Sequence, residues 1–241
     1  MKYIYLKLFN KIVNIFFNFI NLFHPNAIKV LMLHEIVADD VTPKRLQISY
    51  SNFRSLIERL KNKGNVLSME EFYDCFSNKE FKGEYVITFD DVYESVYQFA
   101  FPLLIANNIP FTLFINISLL DTPGFITTNQ LIEMSRSELC TIGSHGIHHV
   151  FFRDLKEEDV GKELKNSKKA LEQLINKPVN CFAFPYGSFV ACSFDNIRKV
   201  KKSSFYKMSF GTIPSSVWNS TVISRYFIHR VDVTKSLIEK I

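Results

Sequence analysis

Four apolar segments of the sequence end in side chains that could do chemistry. They end at His34, at the pair Asp90 and Asp91, at a histidine cluster between residues 145 and 149, and at Pro185–Tyr186. In parallel α/β folds the functional groups gather at the carboxyl ends of the strands. We therefore expect these four groups to meet at one end of a single sheet.

Two adjacent carboxylates, Asp90 and Asp91, follow the apolar run Val86–Phe89. Neighbouring residues on an extended chain point in different directions, so the two acids can take separate roles. One can bind a metal ion while the other takes a proton from water. The alternative is that the pair caps the helix predicted from Tyr93 to Asn107, because Asp is a favoured N-cap residue.

The histidine cluster contains two residues four positions apart, His145 and His149. On a helical turn this spacing places both imidazoles on one face, where they can share a tetrahedral metal ion. One Asp from another strand end would complete a site of two histidines and one carboxylate, which suits metal-assisted hydrolysis. The alternative is an exposed group of surface histidines. We expect His148 to be exposed or supporting rather than a ligand.

Three motifs in this order resemble those of the polysaccharide deacetylase family, also called the NodB-homology or carbohydrate esterase 4 family. They are Thr88–Asp91, the pair His145 and His149, and Phe182–Gly187. The similarity extends from about residue 29 to residue 232. It implies a hydrolase that removes an N-acetyl group from a carbohydrate.

The resemblance implies a role for each matching residue. Asp90 would be the catalytic base, whereas Asp91, His145 and His149 would hold a divalent metal. Zinc is the metal expected first, and two histidines with one carboxylate also accept cobalt, nickel or iron. Pro185 and Tyr186 would line the substrate groove, and the Tyr186 backbone N–H would help to bind the oxyanion.

The general acid is not assigned by any of these three motifs. Common members of the family supply it from a Leu-x-His motif near the C-terminus, and no such motif follows Tyr186. The strand ending in Leu33 and His34 has the same apolar pattern, as in circularly permuted members of the family, so His34 is the expected acid. His229, late in the last predicted strand, is the alternative.

Two positions depart from the family pattern. Val92 stands where a Gly usually follows the two acids, which removes backbone freedom at a crowded turn. Ala183 stands where an Arg often holds the catalytic base. We expect Arg230 or Arg225 to replace that Arg from the last strand, and Arg230 also to contact substrate. Trp218 could line a sugar-binding wall or simply pack.

Alternating β-rich runs and helical patterns predict βα units around a parallel sheet. With about seven strands, a distorted (β/α) barrel is favoured over an open doubly wound sheet. The predicted strands are Ile28–His34, Asn65–Ser68, Tyr85–Asp90, Phe111–Asn116, Cys140–Ser144, Cys181–Pro185, Tyr206–Phe210 and Val222–His229. The predicted helices are Ser51–Lys63, Tyr93–Asn107, Thr128–Arg136, Lys156–Asn176 and Asp195–Lys202.

Composition narrows the possible partners and compartments. The net charge is +5, yet the basic residues form no stripe with interleaved aromatics, which argues against nucleic-acid binding. The four cysteines are scattered and contain no CxxC pair, so neither a disulfide framework nor a cysteine zinc site is expected. This usage favours a reducing, cytoplasmic compartment.

Residues 1–24 are predicted to form an amphipathic helix. Its polar stripe consists of Asn10, Asn14, Asn18 and Asn21. No apolar run reaches the roughly 18 to 20 residues that a spanning helix needs. We expect the segment either to lie at a membrane surface or to pack on protein, and residues 25–241 to form the deacetylase-like catalytic domain.

The sequence thus predicts an N-deacetylase acting on an amino sugar of a polysaccharide, glycolipid or oligosaccharide. A sugar deformylase or an O-acetyl esterase would use the same chemistry, because the pocket rather than the motif selects the acyl group. A carbohydrate-binding pseudoenzyme is the alternative from another class, since Val92 and Ala183 both depart from the pattern. The retained acids and histidines argue against it.

Overall fold

Seven parallel strands form the main sheet of the protein, whose computed structural model describes residues 23–219 and 223–241, with residues 8, 11–13, 15, 16 and 19. The strands are β1 (Lys29–Leu33), β2 (Glu35–Val37), β3 (Gln47–Ser49), β4 (Tyr85–Asp90), β5 (Phe111–Ile115), β6 (Cys140–Ser144), β7 (Cys181–Ala183), β8 (Met208–Phe210) and β9 (Val231–Asp232). The order across the main sheet is β8-β7-β6-β5-β4-β1-β9, while β2 and β3 pair separately.

The sheet curls into a half-barrel whose two edges are joined by one short segment. Ile228 bridges Phe210 at the end of β8. Three residues later the chain pairs with β1 as β9. This architecture confirms the predicted distorted barrel of about seven strands.

Most helices cover the outside of the half-barrel, whereas the helix Met69–Asn78 packs Phe72 and Phe76 into its interior. The helices are α1 (Tyr50–Lys63), α2 (Met69–Asn78), α3 (Phe101–Ala106, preceded by a π-helical turn at Val96–Ala100), α4 (Thr128–Ser135), α5 (Glu157–Ile175), α6 (Phe189–Cys192), α7 (Phe194–Ser203) and α8 (Lys235–Lys240). Ser49, two residues before the predicted start at Ser51, caps α1, and Gly64 ends it in the left-handed conformation, as the sequence predicts. Short 3-10 turns lie at Ile117–Leu119 and Phe152–Asp154.

Two predicted strands are wrong. In the segment 65–68 only Val66 bridges β4, and Ser68 instead forms a capping box with Glu71 at the start of α2. In the segment 222–229 only Ile228 makes a bridge among the described residues, and the ladder resumes at β9. The short elements β2, β3, α6 and α8 were not predicted, because few residues form each of them, and the ten-residue helix α2 was also missed.

The alternation of side chains along the strands fixes which residues face the barrel interior. Val86 packs in an interior cluster with Val30 and Phe210, whereas Ile87 and Phe89 belong to the cluster under the helices. Since strand side chains alternate, Asp90 lies on the interior side together with Val86. The end of β4 therefore delivers a carboxylate into the mouth of the barrel.

Most of the N-terminal segment 1–24 lies outside the described residues, so the amphipathic helix and the domain boundary after residue 24 stay predictions. The described apolar side chains of this segment are largely exposed, namely Leu8, Ile12, Ile15, Phe16, Phe19 and Phe23. Across the part of the chain that the structure describes, no helix is long and apolar enough to cross a membrane.

Candidate active site

Asp90 and Arg230 form a buried ion pair at the mouth of the barrel. Two guanidinium nitrogens of Arg230 donate to the two carboxylate oxygens of Asp90, each at 2.6 Å. Arg230 is fully buried and also donates to the Gly211 carbonyl and the Thr88 hydroxyl. A bidentate pair of this kind fixes the plane of the carboxylate.

This ion pair keeps Asp90 ionised. It also shows that the expectation of a substrate contact for Arg230 is wrong. Burial by itself would raise the pKa of Asp90, but the Arg230 guanidinium, helped by His145, holds that pKa well below its usual range. Arg230 lies behind Asp90 and does not line the pocket, so it is placed to orient the acid rather than to bind substrate. Arg225 instead donates to the Tyr226 hydroxyl.

Asp91 lies next to the two predicted histidine ligands. Its Oδ1 is 3.8 Å from Nε2 of His145 and 3.5 Å from Nε2 of His149. This oxygen is buried and makes no hydrogen bond to the described residues. Asp91 and Val92 both have positive φ, of 60° and 53°. An N-cap residue typically has an extended backbone with negative φ, so the chain after Asp90 does not begin a helix. The alternative of an N-cap pair is therefore wrong.

His145 is oriented by a hydrogen bond on the far side of its ring. Its Nδ1 lies 2.8 Å from the carbonyl oxygen of Ala183, which can only accept, so Nδ1 carries the proton. Nε2 is then left with its lone pair facing Asp91. His145 follows β6 directly, and its backbone N–H donates to the Ile115 carbonyl, which extends the ladder by one residue.

His145 and His149 are joined by a loop rather than by the expected helical turn. Gly146 makes this loop possible with a φ of 84°. The buried carboxylate of Glu163 on α5 braces it by accepting from the backbone N–H groups of Ile147 and His148. The exposed His148 ring lies 2.6 Å from the other Glu163 oxygen. The sequence offered no local signal for Glu163, which lies on a distant helix.

The trio Asp91, His145 and His149 fits a divalent metal ion. Tetrahedral ligands at about 2.1 Å from zinc lie roughly 3.4 Å from one another. The three ligand atoms of the trio all lie within 4.8 Å of one another. Burial raises the pKa of Asp91 and lowers that of His145, and a cation between them would favour the carboxylate and the neutral imidazole that metal binding needs.

His34 lines the same pocket, whereas His229 does not. His34 follows β1 and is half-buried beside Asp232, which also lines the pocket. Burial lowers the pKa of His34, and the charge of Asp90 opposes that shift. His229 is buried elsewhere, and burial lowers its pKa to about 4. The alternation along the segment 230–232 could have revealed Asp232, because it shares a side with Arg230.

The pocket that joins these residues is open and has a volume of about 700 Å³. Tyr186 is half exposed at its wall, and its ring packs edge-on against His149 and Phe151. Among the described residues, no protein acceptor takes the Tyr186 backbone N–H. Pro185 is buried and does not line the pocket, which corrects its expected contact with substrate. Trp218 stacks on His24 away from this site.

Comparisons with known proteins agree with these motifs. A family model described as polysaccharide deacetylase matches residues 78–208. YxkH of Bacillus subtilis, whose name places it with the polysaccharide deacetylases, is 24% identical over 216 residues, or 88% of this chain and 74% of that protein. The poly-beta-1,6-N-acetyl-D-glucosamine N-deacetylase of Staphylococcus aureus is 26% identical over 211 residues, or 81% of this chain and 71% of that protein.

The fold agrees with a solved structure as well. The Streptococcus pyogenes deacetylase PplD, solved in complex with acetate, superposes with a TM-score of 0.78 at 22% identity. The match covers 88% of this chain and 94% of PplD. Because the family model spans more than half of the sequence, the chain belongs to the polysaccharide deacetylase family.

Proposed function

We propose that the protein is a metal-dependent hydrolase that removes the N-acetyl group from an amino sugar of a polysaccharide. The single observation that carries this proposal is the buried Asp90–Arg230 pair placed beside the trio Asp91, His145 and His149 at one open pocket. It combines a fixed carboxylate with a set of metal ligands, and hydrolysis of an amide needs both.

The chain's own residues can divide the reaction between them. Asp90 accepts a proton from the attacking water, and Arg230 keeps its carboxylate ionised and oriented. The water oxygen bonds to the amide carbon while the Tyr186 N–H donates to the carbonyl oxygen. His34 gives a proton to the leaving nitrogen, the C–N bond breaks, and acetate and the free amine are formed.

A divalent metal at the trio would polarise the amide carbonyl and lower the pKa of the attacking water. Zinc suits two neutral imidazoles and one carboxylate at tetrahedral spacing. The Nδ1–H of His145, held by the Ala183 carbonyl, supports this assignment because it fixes the tautomer that presents Nε2.

Poly-beta-1,6-N-acetyl-D-glucosamine is the substrate named for the Staphylococcus aureus relative. That name supports an N-acetylglucosamine polymer as the substrate of this chain. The pocket is open and has a volume of about 700 Å³, so a polymer could extend beyond the sugar that reacts.

Acetate release from N-acetylglucosamine oligosaccharides tests the proposal. Zinc-loaded wild type should release acetate, whereas Asp90→Asn and His34→Ala should each be slower by about 100-fold or more. His229→Gln, altered at the histidine outside the pocket, should stay close to wild type. Equal rates of acetate release by wild type and Asp90→Asn across a broad substrate panel would refute the proposed deacetylase activity.

Metal content separates ligands from the base. His149→Ala should lose bound zinc in equilibrium dialysis, whereas Asp90→Asn should retain it. Zinc binding unchanged in both His149→Ala and Asp91→Ala would contradict the metal trio.

We further propose that the segment 1–24 touches a membrane surface. Its exposed apolar side chains, among them Ile12, Phe16 and Phe19, support this placement. Co-sedimentation of the full chain with anionic vesicles, absent after deletion of residues 1–24, is the expected result. Equal co-sedimentation of both forms would contradict it.

A further inference from the structure

A smaller recess lies beside the pocket lined by Asp90, Asp91 and His145, which is called the catalytic pocket below. It has a volume of about 280 Å³ and is lined by Lys44, Arg45 and Lys235, among others. The recess shares His34 and Asp232 with the catalytic pocket. The two cavities are therefore neighbours, and the proposed general acid stands between them.

The charge of this recess is strongly one-sided. Lys44, Arg45 and Lys235 are all exposed, and Asp232 is the one acid in its lining. Within residues 23–219 and 223–241, none of these three cations lies within ion-pair distance of a carboxylate. Three unpaired cations around one concavity create a local positive potential.

The loop that carries two of these cations is anchored. The Gln47 side chain accepts from the Lys44 backbone N–H at 2.8 Å and donates to a Glu35 oxygen at 2.6 Å. Gln47 also belongs to β3, which pairs with β2 through Glu35. The backbone under Lys44 and Arg45 is thus held before any ligand binds, which lowers the entropic cost of binding.

We propose that Lys44, Arg45 and Lys235, together called the basic recess, bind an anionic group on the sugar next to the one that is deacylated. The group is a phosphodiester or a carboxylate, so the substrate is an acidic amino-sugar polymer. This inference rests on the proposed function, because it places the reacting sugar at Asp91. It follows from the position of the basic recess, which adjoins the reaction site and whose three cations outnumber Asp232, the one acid in its lining.

Three synthetic trisaccharides of N-acetylglucosamine with the same linkage test this inference on the full chain. One is neutral, one carries a phosphodiester on the neighbouring sugar, and one has a uronic acid as its neighbour. Acetate release gives kcat and KM for each, and calorimetry with the zinc-loaded protein gives binding independently of turnover. The anionic trisaccharide that is preferred more strongly over the neutral one identifies the anionic group as a phosphodiester or a carboxylate.

At low salt we expect kcat/KM to favour an anionic trisaccharide about tenfold, chiefly through KM. The preference should shrink when NaCl is raised from about 0.1 M to about 1 M, because salt screens exposed charges. Lys44→Glu combined with Lys235→Glu should reverse the preference. The matched control Lys202→Glu, a charge reversal on α7 outside both cavities, should keep it.

The outcomes separate the two proposals. Acetate release that is equal for neutral and anionic trisaccharides, and unaffected by the charge reversal, would overturn the basic recess and leave the deacetylase standing. Charge-selective binding without acetate release from any trisaccharide would support the basic recess and overturn the proposed function. If the protein shows no binding preference for an anionic trisaccharide and releases no acetate, both proposals are overturned.

Discussion

At the scale of single residues, Arg230 compensates for a missing side chain. Ala183 cannot hold the proposed base, Asp90, from β7, and Arg230 reaches that carboxylate from the segment before β9. The two residues are far apart in sequence, and closure of the half-barrel brings Arg230 to Asp90. A buried bidentate pair depends on both partners, because either one alone is an uncompensated charge.

Removing Arg230 should therefore destabilise the fold as well as the activity. Arg230→Met leaves Asp90 buried and unpaired, and the free energy of unfolding should fall by about 3 to 5 kcal/mol. The double variant Arg230→Met with Asp90→Asn should recover part of this loss, since no buried charge remains. Urea unfolding of the wild type, both single variants and the double variant measures the coupling. Additive single losses would contradict a direct pair.

At the scale of elements, two loops after β4 and β6 position the proposed metal ligands. The loop after β6 depends on Glu163, whose buried carboxylate accepts from the backbone N–H groups of Ile147 and His148. The loop after β4 contains two consecutive residues with positive φ, Asp91 and Val92. One loop is thus braced from a helix, and the other is held in a strained conformation.

Glu163→Gln should weaken metal binding without unfolding the protein. Both backbone N–H groups of the loop donate to the same Glu163 oxygen, and a neutral Gln oxygen accepts more weakly than a carboxylate, so the loop between the two histidines should loosen. Loss of a residue that orients ligands typically lowers metal affinity by about 10-fold to 100-fold. Zinc titration measures the effect, and the exposed Glu158→Gln on the same helix is the control. Equal zinc affinity in both variants would argue against the brace.

At Val92, substitution by Gly should give a more stable protein than substitution by Ala, whereas a residue in ordinary helical conformation shows the reverse order. With a φ of 53°, a Cβ at this position is strained, so Val92→Gly should be more stable than Val92→Ala by about 1 kcal/mol. The equally buried Val96 in the following π-helical turn is the control, where Ala should exceed Gly by about 1 kcal/mol. Thermal unfolding of the four variants gives both differences. The same order at both positions would contradict strain at Val92.

At the scale of the whole molecule, one segment joins the two edges of the sheet. It runs from the bridge at Ile228 to β9 and contains both His229 and Arg230. Closure of the half-barrel therefore places Arg230 against Asp90, the proposed base. It also buries the neutral imidazole of His229.

Burial of His229 predicts how stability depends on pH. Its folded pKa, about 4, lies below the unfolded value of about 6.5, so the unfolded chain binds the proton more tightly. Stability is retained above about pH 6.5 and falls by about 3 kcal/mol as the pH drops from there to about 4. His229→Gln should lack this part of the acid destabilisation, as urea unfolding between pH 7 and 4 would show. Parallel pH profiles of the two proteins would contradict it.

The sequence by itself determined the fold class, the enzyme family and the expected metal ligands. These properties follow from local patterns: β4 is an apolar run that ends at Asp90 with Asp91 next, and α1 ends before Gly64, a residue that favours a helix C-terminus. Short motifs carry this information because the chemistry needs particular residue types at particular strand ends.

Only the tertiary structure decided which distant groups support that chemistry. Arg230 rather than Arg225 meets Asp90, His34 rather than His229 lines the pocket, and Glu163 braces the loop after β6. No local pattern encodes these contacts, because curvature and closure of the sheet set distances between residues far apart in the chain. The last strand was misplaced for the same reason, since β9 is two residues long and pairs only where closure brings it to β1.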